Sequence, residues 1–330
     1  MRLKVTKTLL LACALGFAAR GVARGAGEPV QQTVAAADDV WVTLCVESGD
    51  VSVRGWDRKE VRASATGAAR VELRRGDAGE ATQAAARVQV LTAGEGEAVA
   101  QGCIHTGGGV ALDVPRGSFV QVKSYGGKIE VAGVAGARVE TLSGDVTLQK
   151  VSKLVEATSA NGVISLRDAK GRVRLRSISG RIEVADAGAA EPGDDFRAQT
   201  TSGDISLARV SHTQVEAVSA NGDVELSGAL ARGGAYTLRS QTGNVTLTLP
   251  EDSSFLLTAK VAEGGEIITD FPIRQLPKRT PAGPGEGAGG LVSAGRLTGI
   301  HGKADAPDAT LTLVTFSGTV YLRKAGAASH

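Results

Sequence analysis

The chain has 330 residues, 37 basic and 35 acidic side chains for a net charge of +2, and 3% aromatic residues. A balance this close to neutral excludes the global pull that nucleic acid or an anionic membrane needs. The four histidines (His105, His212, His301, His330) are scattered, and neither a His-Glu-x-x-His nor a Gly-x-Ser-x-Gly motif occurs, so no catalytic residue, metal ligand or cofactor is expected.

Residues 1–25 read as a signal peptide. Arg2, Lys4 and Lys7 precede an apolar run from Leu9 to Ala19, and small residues around Gly21 to Gly25 offer a cleavage site near position 25. The run is shorter than the roughly 20 residues of a spanning helix, and no later segment is apolar enough to cross a bilayer. Leu10-Leu11-Ala12-Cys13 loosely matches a lipoprotein box, but few apolar residues precede it, which disfavours lipidation at Cys13. Removing residues 1–25 takes away five basic side chains and no acidic one, so the net charge falls from +2 to −3. Two cysteines then remain, Cys45 and Cys103. In an exported protein they are a disulfide candidate, with two buried thiols as the alternative. The bridge would close a loop of 58 residues and stabilise by very roughly 4 kcal/mol on a loop-entropy model.

Residues 26–39 are expected as a linker and 40–323 as one domain. Within 40–115, Val42-x-Leu44-x-Val46 leading into Gly49-Asp50-Val51-Ser52-Val53 makes a first coil. Short strands at Val71 to Leu73 and Val88 to Leu91 belong to longer, irregular or antiparallel coils.

Residues 116–274 carry the regular repeats. The phrase Gly-x-[Val/Ile]-x-[Val/Leu] starts at Gly49, Gly127, Gly144, Gly162, Gly180, Gly203, Gly222, Gly243 and Gly318, and from Gly127 to Gly243 the steps are 17, 18, 18, 23, 19 and 21 residues. Apolar residues stand seven and five positions before each glycine, as at Val155 and Ala157 or Val215 and Ala217. A hydroxyl stands three before it: Ser124, Thr141, Ser159, Ser177, Thr200, Ser219, Ser240 and Thr315. Alternation on both sides of the glycine predicts two half-buried strands joined at a corner, and a period near 20 predicts coils of about 18–23 residues that stack as a solenoid. The glycine supplies corner backbone angles. The hydroxyls share inward parity, so stacked rungs or corner backbone must satisfy them. Val134, Val151, Ala169, Val210 and Ala229, seven after the glycine, are expected to line a short third side.

Residues 275–307 are rich in glycine and proline and read as an excursion, after which residues 308–323 return to add one last rung, leaving a tail at 324–330. Gly285-Glu286-Gly287-Ala288-Gly289-Gly290 fits Gly-x-Gly-x-x-Gly literally but lacks the strand-then-helix context of a dinucleotide site.

The remaining chemistry is thin. Asp50, Asp145, Asp204 and Asp223 invite a calcium-roll reading, but Lys128, Arg181 and Thr319 fill the same slot in other coils, so turn chemistry is preferred. Glu130, Glu183 and Glu225 share an outward column, but intervening rungs hold them roughly 10 to 15 Å apart, wider than glycoside hydrolysis uses. Arg174, Arg176, Arg181 and Arg197 form a candidate outward binding face for an anionic envelope polymer, although alternating Arg138, Glu156, Arg174, Arg197 and Glu216 also suit local ion pairing.

Val51-Ser52-Val53-Arg54-Gly55-Trp56-Asp57, Leu112-Asp113-Val114-Pro115, the Ser-Gly-Asp and Asn-Gly-Asp repeats, Asp270-Phe271-Pro272-Ile273 and Leu311-Thr312-Leu313-x-Thr315-x-Ser317-Gly318 together resemble the bacterial "putative adhesin" family of unknown function, the YvlB-like β-helical envelope proteins. The resemblance covers about residues 40 to 323. It implies an all-β, right-handed parallel β-helix and an exported location, and it carries over no catalytic residues. The expected function is a non-enzymatic binding or scaffold module in the periplasm or at the cell surface, with an envelope protein or glycan as partner. A polysaccharide-acting enzyme and a sensory element of envelope stress control are the alternatives.

Overall fold

The computed structural model describes residues 31–67, 70–77, 83–93, 103–105, 108–276, 295–303 and 307–326. The signal peptide, Cys13, the Gly285–Gly290 motif and His330 lie outside these residues. Every element among them is a β-strand, 27 in all, and most pair in parallel. The chain is a β-solenoid.

Each regular coil follows from the alternation in its sequence. A strand before the glycine, such as Leu154–Asn161, pairs with the equivalent strands of the rungs above and below, Gly136–Ser143 and Arg172–Ser179. A shorter strand after the glycine, such as Ile164–Lys170, does the same on a second sheet. Strict register stacks like on like. Val139, Ala157, Leu175, Ala198, Ala217 and Leu238 form one interior column. Val146, Ile164, Ile182, Ile205, Val224 and Val245 form another across the coil. All are buried, in a core that runs unbroken from Ala36 to Leu322. Each Val, Leu or Ile among them contributes about 1.5–3 kcal/mol on burial, and each Ala less.

The glycine corner has a second cause besides backbone angle. A Cβ at Gly127, Gly144, Gly162, Gly180, Gly203, Gly222, Gly243 or Gly318 would collide with the carbonyl oxygen of the glycine one rung below. Gly180 shows the separation cleanly, because its φ lies outside the left-handed range yet its Cβ would still strike the Gly162 carbonyl. Gly265 extends the column to a tenth rung, its Cβ aimed at the Gly318 carbonyl. This rung is hidden in the sequence because Thr269 stands where the phrase requires Val or Leu, and an extra Gly264 precedes the corner.

A second corner falls six residues after the glycine. Lys150, Asp168, Asp186 and Arg209 all adopt φ of 52–60° there, and they are the positive-φ non-glycine residues among those described. A single left-handed residue costs about 1–2 kcal/mol, which rung stacking has to offset. Beyond it Val134, Val151, Ala169, Ala187 and Val210 are buried and make the short third side. Ala229 departs from expectation. It is exposed and Leu230 packs on the core instead, because Gly228 turns with φ 130° and moves the inward position along by one.

The hydroxyl column is buried and bonds to corner carbonyls rather than to neighbouring hydroxyls. Ser124, Thr141 and Ser159 donate to the carbonyl two residues on, at 2.8–3.0 Å. Thr200, Ser219, Ser240 and Thr315 donate instead to the stacked glycine carbonyl of the rung below, at 2.8–3.3 Å. Ser177 sits at the switch between the two modes, and its buried Oγ has no hydrogen-bond partner.

Both ends of the solenoid depart from the simple order of coils. Residues 31–39, expected as linker, begin the strand Gln31–Ser48, and Gln31 to Ala35 pair antiparallel with Glu60–Ala65. The rest of that strand lies between Ala85–Ala93 and Phe119–Ser124, so the first rung in sequence is not the first in space. At the other end Ala309–Ser317 does not add a last rung. It inserts between Gly234–Thr242 and Phe255–Glu263, while Val320–Lys324 inserts between Val245–Leu249 and Ile267–Thr269. The stretch read as an excursion also contains a strand, Arg296–His301, paired antiparallel with Phe255–Glu263. At the N-terminal end Arg70–Arg75 covers Ala85–Ala93 in the same way. Open parallel edges would invite pairing with other chains, and antiparallel covers blunt them. Cys45, on the inserted first rung, and Cys103 are bonded, with Cα atoms 4.6 Å apart, within the usual disulfide range.

Candidate functional site

Rung stacking turns each outward position of the repeat into a column, so chemistry on this surface is read column by column. Six residues before the glycine, charges are neutralised across rungs. Arg138 donates to Glu156 at 2.7 Å and Arg197 pairs with Glu216 at 2.9 Å. Arg174 approaches Asp195 at 3.9 Å. All three arginines are about 40–50% exposed, and such pairs are worth well under 1 kcal/mol. Arg181 lies just past the glycine corner, toward the other sheet, and is held by Glu183 at 3.5 Å and Asp204 at 3.6 Å. The four expected arginines therefore do not form one face, and three of them already have carboxylate partners.

Four residues before the glycine the pattern changes along the stack. Lys123 pairs with Glu140 at 2.8 Å near the N-terminal end. From the Gly180 rung onward the column reads, in spatial order, Arg176, Gln199, Val218, Arg239, Val314 and Lys260. Arg176 donates to Gln199 at 3.3 Å, and among the described residues no carboxylate pairs with it, with Arg239 or with Lys260. Two residues before the glycine runs a ridge with exposed apolar members: Tyr125, Leu142, Ile178 and Phe316, each about half exposed.

Between these columns lies an open groove of about 630 Å³. Its walls are Arg176, Arg239 and Lys260 on one side and Ile178, Ala220 and Phe316 on the other, and the hydroxyl column forms part of its lining. Among the described residues no carboxylate lines it. Ser177, the hydroxyl without a partner, is part of this lining.

Arg239, Lys260 and Phe316 are not legible as a cluster from the phrase alone. Phe316 and Val314 reach the groove because their rung is inserted between those of Arg239 and Lys260, and Lys260 is out of step through the extra Gly264. The available signal is the column itself, read four and two residues before each glycine.

The other candidates are structural by geometry. Asp50 accepts from the amide of Lys128, Asp145 from Val163, Asp204 from Asp223 and Asp223 from Asn244, at 2.7–3.0 Å. Each aspartate thus satisfies a corner N–H of the next rung, a more specific task than turn propensity. Glu130, Glu183 and Glu225 stay separated by the rungs of Thr147, Ser165 and Ser206. Glu130 pairs with Lys128 and Glu183 with Arg181. His212 is buried beside Phe196, its Nε2 2.7 Å from the Gly171 carbonyl. Desolvation pushes its pKa below the ordinary 6.5, against the raising effects of that hydrogen bond and of Asp194 and Asp195. His301 packs on Phe255 and Phe271 in another part of the molecule, and His105 lies in a third. Among the described residues no His, Cys, Asp and Glu cluster could hold a metal ion.

The model of one protein family, Toastrack DUF4097, matches residues 43–274. Three solved structures match the chain at low identity. One is a "putative cell adhesion protein" from Clostridium sporogenes, 8% identical over 90% of this chain and 100% of its own, with a TM-score of 0.23. A "putative adhesin" from Parabacteroides distasonis is 13% identical over 68% of this chain and 91% of its own, TM-score 0.43. Another from Parabacteroides merdae is 12% identical over the same shares, TM-score 0.31. No curated protein matches the sequence.

Proposed function

Because this chain belongs to the Toastrack DUF4097 family, we propose that it is an exported, non-catalytic, adhesin-like binding module of the bacterial cell envelope, with its ligand seated in the groove of the pre-glycine sheet. One observation carries this reading: three cations with no carboxylate partner among the described residues face an exposed apolar ridge across a groove of about 630 Å³. In the neighbouring outward column of the same sheet Arg138 and Arg197 are matched by Glu156 and Glu216. Stacked rungs hold these side chains on rigid strands, which lowers the ordering cost of binding. The signal-like N-terminus and the Cys45–Cys103 bond suit an oxidising compartment outside the cytoplasm, periplasm or cell surface.

The test is retention of the purified mature chain on isolated envelope material. Wild type should bind saturably and release as salt rises. Arg239→Glu combined with Lys260→Glu should abolish retention while leaving the β-rich circular dichroism intact. Equal retention of the double variant would reject the groove, and a tagged protein found in the cytoplasm after fractionation would reject export.

A further inference from the structure

Resting on the binding-module reading, we propose that the groove takes a linear acidic polysaccharide laid along the stacking axis, with its carboxylates on Arg176, Arg239 and Lys260 and a sugar face on Phe316.

Spacing selects a long, repeating ligand. Arg176 and Arg239 are three rungs apart and Arg239 and Lys260 two, about 14 Å and about 10 Å at ~4.8 Å per rung. A small anion reaches one cation, whereas a polymer with a charge on every unit reaches all three across about 24 Å. Among the described residues no counter-charge lines the groove that holds these cations, which concentrates the local positive field even though the mature chain is net acidic.

Texture selects the class of polymer. Apolar Ile178, Val218, Ala220, Val314 and Phe316 are interleaved with Gln199, Thr201 and Gln241. A sugar ring has a C–H face and a hydroxyl rim, and so matches such a mixed surface, with Phe316 exposed for stacking. An acyl chain would meet polar groups at every second rung. An acidic peptide would lack main-chain partners, because the strands beneath the groove pair with a neighbour on both sides and leave no edge to extend.

The experiment is calorimetric titration of the mature chain with galacturonate oligomers of increasing length. Their methyl esters, polyglutamate and phosphatidylglycerol vesicles serve as competing probes. Affinity should rise with length until the oligomer spans about 24 Å, vanish for the esters, and fall about tenfold in Arg239→Gln and in Arg176→Gln, the equivalent of about 1.4 kcal/mol. Phe316→Ala should weaken binding, and Arg138→Gln, outside the groove, should not. Polyglutamate or vesicles binding more tightly than the oligomers would overturn the proposal, as would oligomer binding indifferent to the groove variants. If no oligomer binds but envelope retention still depends on Arg239, the polymer class falls and the binding-module reading stands. If retention ignores the groove as well, both fall.

Discussion

Replacing Gly180 by alanine separates the two causes of the glycine column. Gly180 lies outside the left-handed range, so alanine meets no dihedral penalty there, but its Cβ would collide with the Gly162 carbonyl carbon and oxygen. The obstacle is backbone in an interior rung, with strands paired above and below, so it cannot rotate aside. Overpacking a core costs about 1–3 kcal/mol when side chains can yield, and a fixed carbonyl puts this case at about 3 kcal/mol or more. Gly193 is the converse control. It has φ 95° and open space around its Cβ position, so alanine there pays only the left-handed penalty of about 1–2 kcal/mol. Urea unfolding followed by far-UV circular dichroism measures both, with unchanged m-values required for the comparison. A Gly180→Ala variant no less stable than Gly193→Ala would show that stacked carbonyls do not select glycine.

Ile182→Asp should prevent stable folding or cost more than about 4 kcal/mol, because Ile182 is fully buried among stacked aliphatics; a soluble variant with near-native denaturation would contradict this. Asp223→Ala should cost about 1 kcal/mol by leaving the Asn244 amide unpaired, whereas Asp223→Asn keeps an acceptor and should cost far less. Equal losses in denaturant midpoint would point to charge instead of the hydrogen bond. Wild type should show no calcium-dependent shift in melting temperature, since the aspartates serve amides one by one; a large shift would reject that role. For His212 the folded pKa is depressed, so its contribution to stability is fully present above the ordinary 6.5 and is lost as pH falls through that value toward the folded pKa. His212→Asn should flatten the dependence of melting temperature on pH over that window, and an unchanged slope would assign it to other groups.

What the repeat made legible was whatever one rung specifies alone. Alternation around Gly144 or Gly203 fixes which side chains point inward, and Ile164, Ile182 and Ile205 are buried as their parity requires. The order of rungs in space was not legible, because insertion of Ala309–Ser317 is a choice between neighbours nearly identical in pattern. The same limit hid the groove. Arg174 and Arg197 stand out as charges in sequence, but pairing depends on the rung beside them, where Asp195 and Glu216 lie. Arg239 and Lys260 belong together only once the intervening Val314 rung is seen. A lone Ser177 resembles its seven neighbours in the hydroxyl column, and its missing partner is a property of the stack.

The inserted rungs bear on how the molecule would carry tension. A pull on either end of the chain does not act first on an outermost strand that could peel away bond by bond. It acts on Gln31–Ser48, whose later half is gripped by Ala85–Ala93 and Phe119–Ser124, and on Val320–Lys324, gripped by Val245–Leu249 and Ile267–Thr269. Drawing either one out along its length must shear two parallel ladders at once, with their bonds loaded together. The Cys45–Cys103 bond pins one of those strands covalently as well. A molecule tethered at one end and holding a polymer along its flank would thus meet load at its most firmly clasped strands, while its covered tips bear none of it.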